Sequence, residues 1–452
     1  MPNEADSMSK LTADALQPGV RKREVFGWAM YDFANSGYTT VVLTAVFNAY
    51  FVGVVADGAD WGTLAWTLVI AASSLCVMVT MPFIGAWADA RAAKRRWLML
   101  STLGCVIATA GLASVGWGDL WWAVVLVIAS NVFFAYGESL IASFLPELAR
   151  PQAFGRVSGW GWSLGYFGGM LTLGLSLAYV LSAQSRGVPA TEYVPVTMLI
   201  TAAVFAVAAT VTFSLLRERA VPQPGAASSS GLGLAFRRLA ATWHRAREFR
   251  DFKWLLACVT CYQAGISVVI ALAAIYAEQV LGFKTADTMM LIFLVNIASA
   301  IGAFGFGYGQ DRIGHKRAVA VTLAGWITMT VLAFAAQGPG LFWVAAVVAG
   351  LCMGSSQSAG RALAGVLAPV SHSAEFFGLW TFATRLSAIV GPVTYGLVTW
   401  VTDGNHRLAI AATGLFFVVG LFLLRPINVE RGATAAKAYD ANPSRPSAAG
   451  SD

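Results

Sequence analysis

Charge is scarce in this chain. Asp, Glu, Lys and Arg make up 12% of its 452 residues, about half of what a soluble domain carries. That shortage excludes a large water-soluble globule. Histidine is scarcer still: His244, His315, His372 and His406 all fall in predicted loops or at helix ends, so no buried histidine site is expected. The five cysteines lie in apolar stretches. Cys258 and Cys261 form a C-x-x-C pair, but with no second pair and no nearby histidine they read as small packing residues, not as a metal or redox site. A phosphate loop, a nucleophile elbow and a His/carboxylate metal spacing are all missing. The chain is therefore not expected to be an enzyme, to carry a cofactor or metal, or to be driven directly by ATP. A cleavable signal peptide is not visible either, and the first membrane segment is expected to act as its own insertion signal.

What is abundant is apolar sequence. Hydrophobic residues make up 57% of the chain, and the mean hydropathy is +0.66. About 20 apolar residues cross a bilayer, and twelve such stretches are present. The fold expected is an all-α membrane protein of twelve transmembrane helices in two pseudo-symmetric six-helix bundles. The net charge of +7 does not point to nucleic acid, because the cations gather in a few short loops. Loops leaving odd-numbered spans carry Asp57, Asp60, Asp119, Glu192 and Asp403. Loops returning into odd-numbered spans carry Arg91, Lys94, Arg95 and Arg96, then Arg150 and Arg156, then Arg312, Lys316 and Arg317. Basic loops stay in the cytoplasm, so both termini are predicted there. The expected layout is a disordered N-terminus over 1–23, a first bundle over 24–216, a partly basic amphipathic linker over 217–253, a second bundle over 254–426 and a disordered tail over 427–452. The linker's cations suit a helix lying on anionic lipid.

The two halves repeat. Gly85-Ala-Trp-Ala-Asp89 returns as Gly307-Tyr-Gly-Gln-Asp311, an offset of 222 (89 to 311). Pro146 and Pro369, Phe154-Gly155 and Phe377-Gly378, and Gly168 and Gly391 share an offset of 223 (146 to 369). Several matches at nearly one offset indicate duplicated six-helix halves, a transporter signature that places the solute site between them near the midplane.

The segment Gly307-Tyr-Gly-Gln-Asp311-Arg312-Ile-Gly314-His-Lys316-Arg317 resembles the loop signature of the major facilitator superfamily. Its first-half counterpart, Gly85 to Arg96, keeps the glycine, Asp89 and the basic cluster. It lacks the arginine after the aspartate and the internal glycine. The resemblance implies gating roles for Gly85, Asp89, Arg95, Gly307, Asp311, Arg312, Gly314 and Lys316. The first-span run Trp28-Ala-Met-Tyr31-Asp32-Phe-Ala-Asn35-Ser36, the run Gly137-Glu138-Ser139 with Phe144-Leu-Pro146-Glu147, and Gly155 to Tyr166 resemble the vacuolar-effluxer branch of that superfamily. This branch includes a fungal autophagy-related amino-acid exporter and bacterial relatives. The resemblance implies a monomeric secondary transporter in a bacterial inner or plasma membrane, moving an amino-acid-like solute, with export favoured.

Charges inside spans are the remaining signal. A carboxylate at membrane depth costs about 2.5–3.5 kcal/mol on insertion scales, so it marks a functional position. Asp32 and Glu138 are the proton-coupling candidates. Arg361, at Glu138's repeat position, either pairs with Glu138 or presents the opposite charge to one zwitterionic solute; Arg385 is a candidate clamp for a solute carboxylate or a counter-ion for Asp32 or Glu138. Asn35 and Ser36 share Asp32's helical face. Tyr31, Trp160, Tyr166, Tyr262, Gln263 and Asn296 complete the substrate-binding candidates, with Trp160, Tyr166 and Tyr262 expected to face the cavity. Two other readings stand beside proton-coupled transport of a small polar solute. One is a drug or lipid-like exporter with few required charges; the other is a non-transporting solute receptor or scaffold that uses the basic linker.

Overall fold

A computed structural model describes residues 15–59, 61–222, 249–281, 285–403 and 405–441. Thirteen long helices organise it. In the first half they are α1 (Lys22–Val55), α2 (Gly62–Arg91), α3 (Lys94–Gly111), α4 (Leu120–Leu148), α5 (Phe154–Ser185) and α6 (Ala190–Leu215). In the second they are α7 (Arg250–Leu281), α8 (Thr285–Ile313), α9 (His315–Ala335), α10 (Pro339–Leu367), α11 (Ser373–Val401), α12 (His406–Leu424) and α13 (Val429–Ala441). Among the described residues, twelve helical spans are long and apolar enough to cross a membrane. Each half closes on its own apolar core, one built around Trp28, Tyr31 and Phe205, the other around Tyr262, Trp326 and Phe417. Many large apolar side chains remain outside these cores, including Leu64, Leu68, Trp121, Val207, Val331 and Trp400. A bilayer supplies the apolar solvent such a surface needs.

Both described chain ends lie at one face, with the loops α2–α3, α4–α5 and α8–α9; this is the basic face. Gln17 N–H donates to the Leu148 carbonyl at 3.0 Å, and Leu16 pairs with Ala149 as a β-bridge. Two sequence expectations are corrected here. The N-terminal stretch is ordered from Ala15, held by the end of α4. The tail expected to be disordered from 427 instead forms α13. That helix is fastened through Arg431 Nη2, which donates to Asp251 Oδ1 at 2.7 Å, and through Asp440, which accepts from the Val370 and Ser371 amides at 2.9 and 3.0 Å. Weak apolar content hides such a helix from a hydropathy reading, because polar end contacts hold it. Residues 223–248, most of the basic linker, lie outside the described residues, as do Asp60 and His244.

The halves meet along α2 with α11 and α5 with α8. At the first seam a Cβ on Gly85 would lie on the Ala374 carbonyl oxygen, so only glycine permits the approach. At the second, Gly155 and Gly307 face each other's carbonyl oxygens.

The loop after α2 lacks the glycine that its repeat contains, yet it also turns through a positive φ, although ψ differs (53 at Ala92, 147 at Gly314). Ala92 adopts φ 48, a left-handed conformation, at the position matching Gly314 with φ 89. A Cβ in that region costs about 1–2 kcal/mol. Ala92→Gly is therefore expected to raise thermal stability by about 1 kcal/mol, read from melting of the detergent-solubilised protein. No change or a loss would mean that Ala92 is unstrained.

Candidate functional site

The site is built around an arginine that crosses between the halves. Arg361 sits on α10, yet its three nitrogens all bond to the first half. Nη1 donates to Asp32 Oδ2 at 2.8 Å; Nε donates to Ser158 Oγ and Nη2 to the Ser158 carbonyl, both at 2.9 Å. Its guanidinium lies 4.7 Å from the Trp28 ring centroid and 5.4 Å from that of Trp162. Each partner is placed by helical spacing. Trp28 and Asp32 are i and i+4 on α1; Ser158 and Trp162 are i and i+4 on α5. Trp28 is itself fixed by donating its indole N–H to the Ile141 carbonyl at 2.7 Å. Gly161 completes the nest, because a Cβ there would overlap Asp32 Oδ2 and Arg361 Nη2. A guanidinium that is desolvated, paired and flanked by two ring faces is strongly held.

A second pair bridges α4 and α11: Arg385 Nη2 donates to Glu138 Oε2 at 3.1 Å. It is looser and wetter. The Glu138 side chain is 43% exposed and that of Arg385 15%, against 12% and 7% for Asp32 and Arg361. A carboxylate so exposed between two halves requires open space beside it. Arg385 Nε is buried with no hydrogen-bond partner, so this guanidinium retains binding capacity. Both acids come from the first half and both bases from the second.

Between this layer and the basic face the halves are closed. Asp89 Oδ2 accepts from the Glu375 amide at 2.8 Å, near the start of α11. Lys94 is fully buried beside it, donating to Glu147 and to Ser373 Oγ and lying 3.9 Å from Asp89. In the other half, Asp311 accepts from the Gly155 and Arg156 amides at 2.9 and 3.2 Å and from Arg156 Nε at 2.8 Å, at the start of α5. Each aspartate thus caps a helix of the opposite half, where the helix dipole favours a negative charge.

The other predicted residues are scattered. Tyr31 is fully buried inside the first bundle, bonded to Thr102 Oγ1 at 3.0 Å. Asn35 is buried; Ser36 Oγ donates to its own helix at the Asp32 carbonyl. Tyr262 packs inside the second bundle against Gly360 and Gly420. Gln263 donates to Gln357 on α10 at 2.8 Å, and Asn296 donates to the Ile292 carbonyl of its own helix. Tyr166 lies beside Trp162, ring centroids 6.1 Å apart. Trp160 faces outward with Tyr308, because two residues along a helix rotate the side chain by about 200° from the inward Trp162. Of the gating candidates, Gly85, Asp89, Gly307 and Asp311 sit at the seams. Arg95 instead bonds the Phe213 carbonyl on α6 while its neighbour Lys94 takes the gate position. Arg312 is exposed, Gly314 starts α9, and Lys316 donates to the Arg425 and Ile427 carbonyls within the second half. Ser158, Gly161, Trp28 and Trp162 escaped the candidate list, although their i, i+4 spacing beside Asp32 and Gly165 was legible.

Comparison with known proteins settles the family. The family model described as "Vacuole effluxer Atg22 like" matches residues 63–437. The chain belongs to this family. An uncharacterised MFS-type transporter of Bacillus subtilis, YxiO, is 25% identical over 88% of this chain and 93% of its own. Autophagy-related protein 22-1 of Penicillium rubens is 26% identical over 63% of this chain and 51% of its own, so the chain spans about half of that relative. Among solved structures, the human organic anion transporter MFSD10 superposes with a TM-score of 0.70 at 16% identity, covering 90% of this chain and all of that one. The proton:xylose symporter XylE gives 0.69 at 14% identity, covering 92% and 98%. The fold is that of the major facilitator superfamily, and this Atg22-like family member is a membrane transporter.

Because Arg361 is buried against first-half partners, removing it strands Asp32. Breaking one side of a buried pair costs about 3–5 kcal/mol, whereas removing both charges costs much less. Arg361→Gln is expected to lose about that much stability, and Asp32→Asn/Arg361→Gln to recover more than half of it in the same melting assay. Equal losses would show that the two groups are not coupled.

Proposed function

We propose that this protein is a proton-coupled secondary transporter of a zwitterionic, amino-acid-like solute, working by alternating access. The observation that carries the reading is the layer of two inter-half acid–base pairs, one tight and one open. In the open pair, Glu138 faces accessible space and Arg385 keeps an unused Nε. A solute ammonium suits Glu138 and a solute carboxylate suits Arg385, so the solute replaces a contact between halves with two contacts to itself. That exchange links binding to rocking. In the tight pair, a proton on Asp32 removes the charge that holds Arg361, which weakens the closure beneath the solute and lets the basic face part.

We take the basic face as cytoplasmic, from the positive-inside asymmetry of its loops, and the membrane as a bacterial plasma membrane, from the Bacillus relative. The working unit is read as a monomer, since each chain contains both halves. Efflux is favoured by the family's description.

The test uses protein in liposomes with a trapped pH dye and a panel of amino acids, peptides, sugars and amphipathic drugs. Amino acids are expected to drive proton flux, and Asp32→Asn to abolish it. Glu138→Gln and Arg385→Gln are each expected to raise KM about 10- to 100-fold, the loss of one charged hydrogen bond. Full gradient-driven accumulation in both Asp32→Asn and Glu138→Gln would refute proton coupling through these groups. Flux with drugs alone would favour the apolar exporter.

A further inference from the structure

A cavity on the side of the molecule lies outside the central layer. It is a lateral groove of about 400 Å³ between α1, α5 and α8, a size typical of sites for small apolar ligands, about 300–1,000 Å³. Val25, Phe26 and Ala29 supply one wall, Trp160, Leu164 and Phe167 the other, and Phe304 of the second half closes it. Phe26, Phe167 and Phe304 are each about half exposed, at 52%, 54% and 50%. On a membrane-spanning surface that exposure is contact with acyl chains. The groove therefore opens sideways to lipid, not to the solute pathway.

Its one charged wall residue is Lys22, at the basic-face end. Lys22 is exposed, between the exposed Arg21 and Arg23. The nearest acid in sequence, Glu24, is already engaged by Arg219 Nη2 at 2.7 Å. A local excess of positive charge thus stands at the mouth of an apolar slot, at headgroup depth. The indole of Trp160, which donates to Tyr308 at 3.2 Å, adds the amphipathic aromatics common at that depth.

We propose that this groove is a binding site for one anionic phospholipid of the leaflet at the basic face, its acyl chain between α1, α5 and α8 and its phosphate at Lys22. Charge complementarity selects an anionic over a zwitterionic headgroup. The walls come from both halves, so the site is complete only while the basic-face seam is closed, and an occupied groove steadies that arrangement.

Trp160 is a built-in reporter. The full chain is reconstituted in phosphatidylcholine vesicles containing an equal mole fraction of either acyl-brominated phosphatidylglycerol or acyl-brominated phosphatidylcholine. The quenched fluorescence belonging to Trp160 is the difference between the parent protein and Trp160→Phe. Brominated phosphatidylglycerol is expected to reach half-quenching at roughly fivefold lower mole fraction, the effect of one surface lysine on anionic lipid. Lys22→Gln is expected to erase that preference while leaving quenching itself, and Lys22→Arg to keep it. Lys22 is exposed, so neither substitution disturbs the core. Equal quenching by both lipids in the parent would mean ordinary boundary lipid and overturn the proposal. So would the absence of Trp160 quenching by either lipid, or a preference that survives Lys22→Gln.

Discussion

Arg361 ties the two halves of this transporter together. It reaches from the second half into the first, and every hydrogen bond of its guanidinium ends on α1 or α5. Those three bonds give each guanidinium nitrogen a partner, and two ring faces flank the cation; a buried charge that is paired and hydrogen-bonded in this way holds structures together instead of weakening them. Remove the charge on Asp32 and Arg361 loses the carboxylate that pairs with it among the described residues. The surrounding features follow from this need. Gly161 must lack a side chain, Trp28 must be fixed by α4, and Ser158 must sit at the first turns of α5.

The seams toward the basic face carry a weaker, distributed version of the same device. Asp89 and Asp311 each use backbone amides at the start of a helix in the opposite half, so the seams are held by capping as much as by ion pairing. The gene duplication seen in the sequence thereby becomes mechanical. Two related loops, each with one aspartate, hold the two ends of one seam. Capping contacts are made or lost whole, since a carboxylate cannot follow a departing amide. This suits a two-position switch. The glycines beside them allow backbone contact, which makes the closed arrangement sharply defined.

Much of this was legible in the chain. Span number, the two halves and the shared face of the chain ends follow from hydropathy, repeats and loop charge, because a bilayer leaves few ways to satisfy a backbone. Asp32, Glu138, Arg361 and Arg385 stood out because charge in an apolar span is rare. Their pairing was open between alternatives, Glu138 with Arg361 or Arg385 with either acid. Glu138 and Arg361 share a repeat position, yet each pairs with a residue elsewhere, since the halves face each other instead of overlaying. Aromatics and neutral polars were read less well. Tyr31 and Tyr262 are amphipathic, and the bundle interiors satisfy or shield them as readily as a cavity would. Arg95 and Lys94 are adjacent on a helix, about 100° apart, and only packing decides which turns to the gate. The helix α13 lacks an apolar run, so its polar anchors are visible only in three dimensions.

In the proposed mechanism the charge on Asp32 keeps the basic face shut through Arg361. Spin labels at Arg96 and Arg317, exposed at the starts of α3 and α9, report the distance across that face by double electron–electron resonance. A short distance at neutral pH that lengthens on acidification is expected, with a long distance at every pH in Asp32→Asn. A face that stays closed in Asp32→Asn, with the same distance distribution as the parent, would contradict it.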